Sequence, residues 1–188
     1  NLNRVVTELL GYTKTLRPRL SMQKIETIIN EVLYDLRKEI KNNNIVAIKD
    51  FSPSIPQFPV DAVLISQVFQ NVIQNAIEAM SEGGTLTVKS MTSLLRPEYV
   101  EITIEDTGPG LKASETGKIF HPLHTTKASG TGLGLSLSHR IIDAHNGNIW
   151  ATNNKGKGLT IHILLGMKEN PKQTHEVGGD NDSAHPRR

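Results

Sequence analysis

An α+β sandwich, two layers with a mixed sheet and its helices on one face, is the fold class that this 188-residue chain predicts. Three observations carry that expectation. Two long stretches, 22–40 and 61–80, place apolar residues at helical spacing. Strand-like segments come in neighbouring pairs, and one alternates Val100, Ile102 and Ile104 against Glu101, Thr103 and Glu105. The order along the chain is one leading helix, then α-β-α-β-β-loop-α-β-β, without an internal repeat.

Composition bounds the rest. At about 100–200 residues per domain the chain is one domain, or one with an appendage. Hydrophobic residues make up 37%, enough for a core. A net charge of +2, with 21% charged residues, argues against a protein that coats nucleic acid. The absence of cysteine excludes a disulfide scaffold, a zinc ribbon, an iron–sulfur site and a thiol nucleophile. No apolar run reaches the ~18 residues that a membrane helix needs, and no signal peptide leads the chain. A cytoplasmic location is expected for this stretch, with a membrane anchor in a preceding region of the parent left open. The chain starts at Asn1 without an initiator methionine and reads as a piece of something longer.

Taking the elements in order, Leu2, Val5, Val6, Leu9, Leu10, Thr13 and Leu16 give residues 1–17 a narrow apolar seam that wants a helical partner. Arg17-Pro18 closes that helix, because Pro18 lacks the N–H for the next bond. Residues 22–40 predict a strong amphipathic helix with Ser21 as its N-cap, stopped by Asn42-Asn43-Asn44. Ile45–Phe51 reads as a strand, and Ser52–Pro59, with three prolines, as a loop. Residues 61–80 form the second helix, ended by Gly83-Gly84. Leu86–Met91 and Val100–Glu105 read as strands. Residues 107–131 show no period and are rich in glycine, as functional lids are. A helix over 133–145 follows, with Gly147 as its C-cap. Ile149–Thr152 and Leu159–Leu165 are strands around a Gly156-Lys157-Gly158 turn. Residues 167–188 have almost no aliphatic content and read as a disordered tail or linker.

Three features carry chemistry. On the helix 61–80, Gln67, Asn71, Asn75 and Glu78 form one polar stripe. A solvated face looks like this too, but asparagines are mediocre helix formers, and a carboxamide oxygen is a hard ligand suited to Mg²⁺ beside an anion. Second, a strand delivers Asp106 to its end, where Thr107-Gly108-Pro109-Gly110 opens the backbone. This is either a plain turn or a carboxylate that accepts a hydrogen bond from a flat ligand. Third, Gly130-Thr131-Gly132-Leu133-Gly134-Leu135 opens a helix, as phosphate-binding loops do. It is neither a P-loop nor a dinucleotide fingerprint.

With all three in this order around a lid, residues 22–166 closely resemble the ATP-binding domain of bacterial sensor histidine kinases, of the Bergerat or gyrase–chaperone–kinase–MutL fold. Asn71 to Met80 looks like the family's N box and Asp106 to Gly110 like its first glycine box. Ile119 to Lys127 looks like its F box and Gly130 to Leu135 like its second glycine box. The N box ending and the Thr125-Thr126-Lys127 run look most like the nitrogen-regulatory subgroup. Residues 1–17 look like the second helix of the dimerisation hairpin. The resemblance implies a catalytic domain over 18–166 that uses ATP and Mg²⁺. Asn75 would hold the Mg²⁺ with Asn71 assisting, and Asp106 would bond the adenine amino group. Gly108 and Gly110 would admit the purine, and Thr160 would support it through water. Gly130, Thr131, Gly132, Leu133 and Gly134 would cradle the phosphates, joined by Thr126 and Lys127 of the lid, with Phe120 anchoring it.

The sequence departs from the family in two places. Glu78 stands where membrane sensor kinases often carry a cation, so Lys127 is expected to take that role. None of the seven histidines has the family's phosphoacceptor context. The acceptor would sit on a dimerisation helix of the full-length chain or its dimer mate, and a response regulator receiver domain would take the phosphate onward. The parent is expected to be a homodimer. His121-x-x-His124 has the spacing of a metal pair without an evident third ligand. Two other readings stand beside the kinase: a nucleotide-binding regulatory module without transfer, and a gyrase-type ATPase. The second is disfavoured by Asn71, where those relatives place a water-activating glutamate.

Overall fold

The computed structural model describes residues 16–112, 115–125 and 131–168. In chain order these form β1 (Ser21–Gln23), α1 (Ile25–Asp35), α2 (Arg37–Asn42), β2 (Ile45–Phe51), β3 (Phe58–Val60), α3 (Ala62–Ala79), β4 (Gly84–Thr92), β5 (Tyr99–Asp106), α4 (Gly134–Ala144), β6 (Asn148–Asn153) and β7 (Leu159–Gly166). The expected helix at 1–17, apart from Leu16 and Arg17, and the tail from residue 169 lie outside the described residues.

Five strands make one mixed sheet in the order β2-β4-β5-β7-β6. Only β2 and β4 run parallel, and the other pairs are antiparallel. Ile104 lies between Val88 and Ile161, and Ile102 between Ser90 and Ile163, so one face collects the buried side chains. The helices cover that face, with α3 packed against both α1 and α4. Phe69, Ile65 and Ile73 of α3 meet Ile25 and Ile29 of α1 and Ile141 and Ile142 of α4 in one continuous core. This is the α+β sandwich that the chain order predicts. On the other face Trp150 stacks on His162, with ring centroids 4.9 Å apart and 3° between the planes.

Two expectations are corrected. The helix over 22–40 starts only at Ile25, because Ser21–Gln23 pairs antiparallel with Phe58–Val60. Ser21 is therefore a strand residue and not a cap, and the end of the proline-rich loop is a strand. The helix also breaks at Leu36, whose φ of −84° and ψ of 1° leave the helical region before α2 resumes. The remaining strands and helices fall within a few residues of their expected bounds.

The start of α3 is a junction. Asp61 caps it, its Oδ1 accepting from the N–H groups of Val63 and Leu64 at 3.1 Å. Its Oδ2 accepts from the Arg19 N–H at 2.8 Å, and its own N–H donates to His145 Nε2 at 3.0 Å. His145 donates through Nδ1 to the Ile141 carbonyl at 2.7 Å. Both ring nitrogens are thus used by a neutral imidazole, and burial lowers the pKa of His145.

Candidate functional site

A cavity of about 370 Å³ opens between α3, the carboxyl end of β5, the start of β7 and the loop before α4. Its position follows from the strand order. β5 and β7 are neighbours, so the end of one and the start of the other meet beside the last turns of α3.

Asp106 is buried at the end of β5 and faces this cavity. Its Oδ1 accepts from the Gly108 N–H at 2.8 Å and the Leu159 N–H at 3.3 Å. Burial raises its pKa. The Gly108 and Leu159 amides oppose that rise and neighbouring Glu105 adds to it. Both amides use the same oxygen, so Oδ2 has no part in either bond.

Two asparagines, Asn153 at the end of β6 and Asn154 after it, hold this end in place. Asn153 accepts from the Leu111 N–H at 2.9 Å and donates to the Leu111 carbonyl at 2.7 Å, as a strand neighbour would. Asn154 donates to the Asp106 carbonyl at 3.1 Å and accepts from the Thr160 hydroxyl at 2.6 Å. Gly158 comes so close that an added Cβ would lie 1.9 Å from the Asp106 carbonyl oxygen, at a φ of +102° that only glycine adopts readily. Consecutive asparagines ahead of a Gly-x-Gly turn were the available signal, and they also fit an ordinary hairpin.

On α3, Asn71 and Asn75 both line the cavity. Asn71 donates through Nδ2 to the Gly134 carbonyl at 3.2 Å and towards the Ser138 hydroxyl at 3.4 Å, tying α3 to the first turn of α4. Asn75 donates through Nδ2 to the Asn71 carbonyl at 2.9 Å. Glu78 also lines the cavity and accepts from Gln74 Nε2 at 3.3 Å. Thr131, Gly132 and Gly134 form the wall at the start of α4. Gly132 has a φ of +67°, and an added Cβ would lie 2.5 Å from the Leu123 carbonyl carbon, so only glycine lets the lid segment rest on this loop. Phe120 lies 5.9 Å from the His139 ring on α4.

Of the other expected site residues, Gly110 lines the cavity, while Gly108 and Leu133 are buried beside it. Thr160 does not line the cavity. Its register partners are Glu105 and Thr152, on the sheet face opposite Ile104 and Ile161, and its hydroxyl is spent on Asn154. It supports the Asp106 strand end from behind. Thr126, Lys127 and Gly130 lie outside the described residues. Among the described residues no group of three or more potential metal-ligating side chains occurs, and His121 and His124 part company, with His124 on the cavity and His121 exposed. No helix among the described residues is long and apolar enough to cross a membrane.

Residues 60–169 match the family described as histidine kinase-, DNA gyrase B- and HSP90-like ATPases. The chain is 34% identical over 164 residues to the sensor histidine kinase ZraS of Escherichia coli strain K12, covering 87% of this chain and 35% of that protein. It therefore spans about a third of the length of that relative. Among solved structures it is similar to the nucleotide-free catalytic domain of histidine kinase ThkA, with a TM-score of 0.73 and 30% identity over 80% of this chain and 97% of that one. It is also similar to ThkA solved in complex with response regulator protein TrrA, with a TM-score of 0.77 and 28% identity over 92% of this chain and 48% of that one.

Proposed function

The chain belongs to the histidine kinase-, DNA gyrase B- and HSP90-like ATPase family, and on that premise we propose that it is the ATP-binding catalytic part of a two-component sensor histidine kinase. The observation that carries this reading is the convergence of Asn71, Asn75 and Asp106 with the Thr131–Gly134 loop on one cavity. An ATPase of the gyrase type uses a glutamate at the place of Asn71 to activate water. Here that position holds a carboxamide tied to the Gly134 carbonyl.

In this reading Asp106, fixed by two amides, accepts from the adenine amino group. The loop before α4 and the amino end of that helix face the phosphates. The donor set fits Mg²⁺: Asn75 brings a carboxamide, whose oxygen is a hard donor, to the cavity wall, and Glu78 adds carboxylate oxygens to the same wall. Mg²⁺, when bound, neutralises phosphate charge. Positioning and charge do most of the work in phosphoryl transfer. The bond from the γ-phosphorus to the bridging oxygen breaks, a phosphorus–nitrogen bond forms to an acceptor imidazole, and ADP leaves. That imidazole belongs to a dimerisation helix of the full-length homodimer, and a response regulator receiver aspartate takes the phosphate from it. The regulator bound to similar ThkA supports this partner. Residues 1–17 form the remnant of that dimerisation hairpin, residues 18–166 the catalytic domain, and residues 167–188 a tail, all in the cytoplasm. Thr126, Lys127 and Gly130 complete the phosphate end.

Calorimetric titration with ADP and a non-hydrolysable ATP analogue, with and without Mg²⁺, tests this on wild type and Asn75→Ala. Micromolar affinity that needs Mg²⁺ and falls about tenfold in the variant is expected. No binding at millimolar nucleotide withdraws the reading. Glu78 on the cavity wall favours one alternative, a regulatory nucleotide-binding module. It predicts tight ADP binding with no labelled phosphate passed to an added dimerisation domain.

A further inference from the structure

We propose that His124 is a phosphate-contacting residue of the cavity, the described side chain that meets the anionic end of the nucleotide. The inference rests on the nucleotide reading above and extends it to a residue of the F-box segment to which the resemblance assigns no role.

Charge comes first. Among the described residues that line the cavity, Asp106 and Glu78 are acidic, none is lysine or arginine, and His124 alone can carry a positive charge. A polyanion entering this lining meets two carboxylates and one imidazole. Placement comes second. His124 follows Leu123 on the lid segment, and an added Cβ on Gly132 would lie 2.5 Å from the Leu123 carbonyl carbon and 2.8 Å from the His124 nitrogen. The histidine backbone is therefore held against the glycine loop at the start of α4, the same loop whose Gly134 adjoins Asn71. Third is the backbone. Leu123 has a φ of 61°, a costly conformation for a bulky residue. Such strain persists where the surroundings enforce it, and it clusters where side chains must be aimed at ligands.

Partners complete the argument. His139 pairs with Asp143, His145 bonds Asp61 and Ile141, and His162 bonds Thr152. The His124 imidazole has no hydrogen-bond or ionic partner among the described residues, and only its backbone N–H is engaged, with the His121 carbonyl at 3.3 Å. An imidazole donates an N–H in either charge state, and a charge-assisted bond to phosphate is the stronger form.

The test uses ADP and adenosine as paired probes, titrated with Mg²⁺ into wild type, His124→Gln and His124→Lys. ADP affinity is expected to drop about tenfold in His124→Gln and to recover in His124→Lys, while adenosine binds all three alike. Equal ADP affinity in wild type and His124→Gln overturns the proposal. So does a parallel loss of ADP and adenosine, which means that the change distorts the lid and removes no phosphate contact. If wild type binds adenosine but not ADP, the phosphate end is not a phosphate site and the proposal falls with it. Failure of wild type to bind either probe instead sinks the nucleotide reading on which it rests.

Discussion

The two ends of the cavity are built differently. At the Asp106 end, strands do the holding: β5 delivers the carboxylate, β7 supplies the Leu159 amide, and Asn153 and Asn154 lace the following loop to the β6–β7 hairpin. At the other end, a loop rests on a helix start, and the ties are the Asn71 bond to Gly134 and the contact of Gly132 with Leu123. The first end is held by several bonds between elements far apart in sequence. The second has one such bond, Asn71 to Gly134, and otherwise rests on the contact of Gly132 with the nearby Leu123 and His124 backbone.

The sharpest way to break this contrast is Asp106→Asn. The amide oxygen still accepts from Gly108 and Leu159, but the matching acceptor for a purine amino group is gone. Nucleotide affinity should fall on the order of a hundredfold, read by calorimetry. Stability should move the other way. Burial raises the carboxyl pKa above its ordinary 3.8, so this group favours the fold fully below about 3.8 and loses that contribution as pH rises through its folded value. The variant should therefore melt at or above the wild-type temperature at pH 7, and its advantage should vanish in acid. A clearly lower melting temperature at pH 7 would count against the burial argument.

If Lys127 takes the phosphate role proposed for it, Lys127→Ala should slow phosphoryl transfer to an added dimerisation domain on the order of a hundredfold, whereas Lys118→Ala should change it little. Equal losses would remove Lys127 from the mechanism. Asn153→Ala comes next. It removes two hydrogen bonds to Leu111 and should weaken adenosine and ADP equally, about fivefold, while Asn153→Asp or Ser restores part of the loss. A selective loss of ADP would place Asn153 at the wrong end. The smallest effect belongs to a residue at neither end. His145 is held neutral with a lowered pKa, so its contribution is complete above its ordinary 6.5 and is lost as pH falls from there through its folded value. Thermal melts should show His145→Gln with a flatter acid limb than wild type and unchanged ADP affinity at pH 7.5.

Much of this was legible because long periodic segments declare themselves. α3 and α4 were placed to within a residue or two, and β5 was given away by its strict alternation. The pair β1 and β3 was not, because three residues are too few for a period and Pro59 in one of them reads as a loop. The break at Leu36 leaves no mark either, since the apolar spacing continues through it. In the site, Asp106, Asn71 and Asn75 stand out as motif members, and the fold brings all three to one cavity. Thr160 falls on the face away from the cavity, since one residue of register decides which sheet face a side chain takes. Asn153 and Asn154 act through contacts with Leu111 and Asp106, more than 40 residues away in sequence, which spacing does not encode.

Gly158 gives this architecture a genetic consequence. It lies in a hairpin turn, away from the cavity wall, yet any side chain there would strike the carbonyl of Asp106. A screen for loss-of-function alleles should therefore recover substitutions at this glycine alongside those of the binding residues.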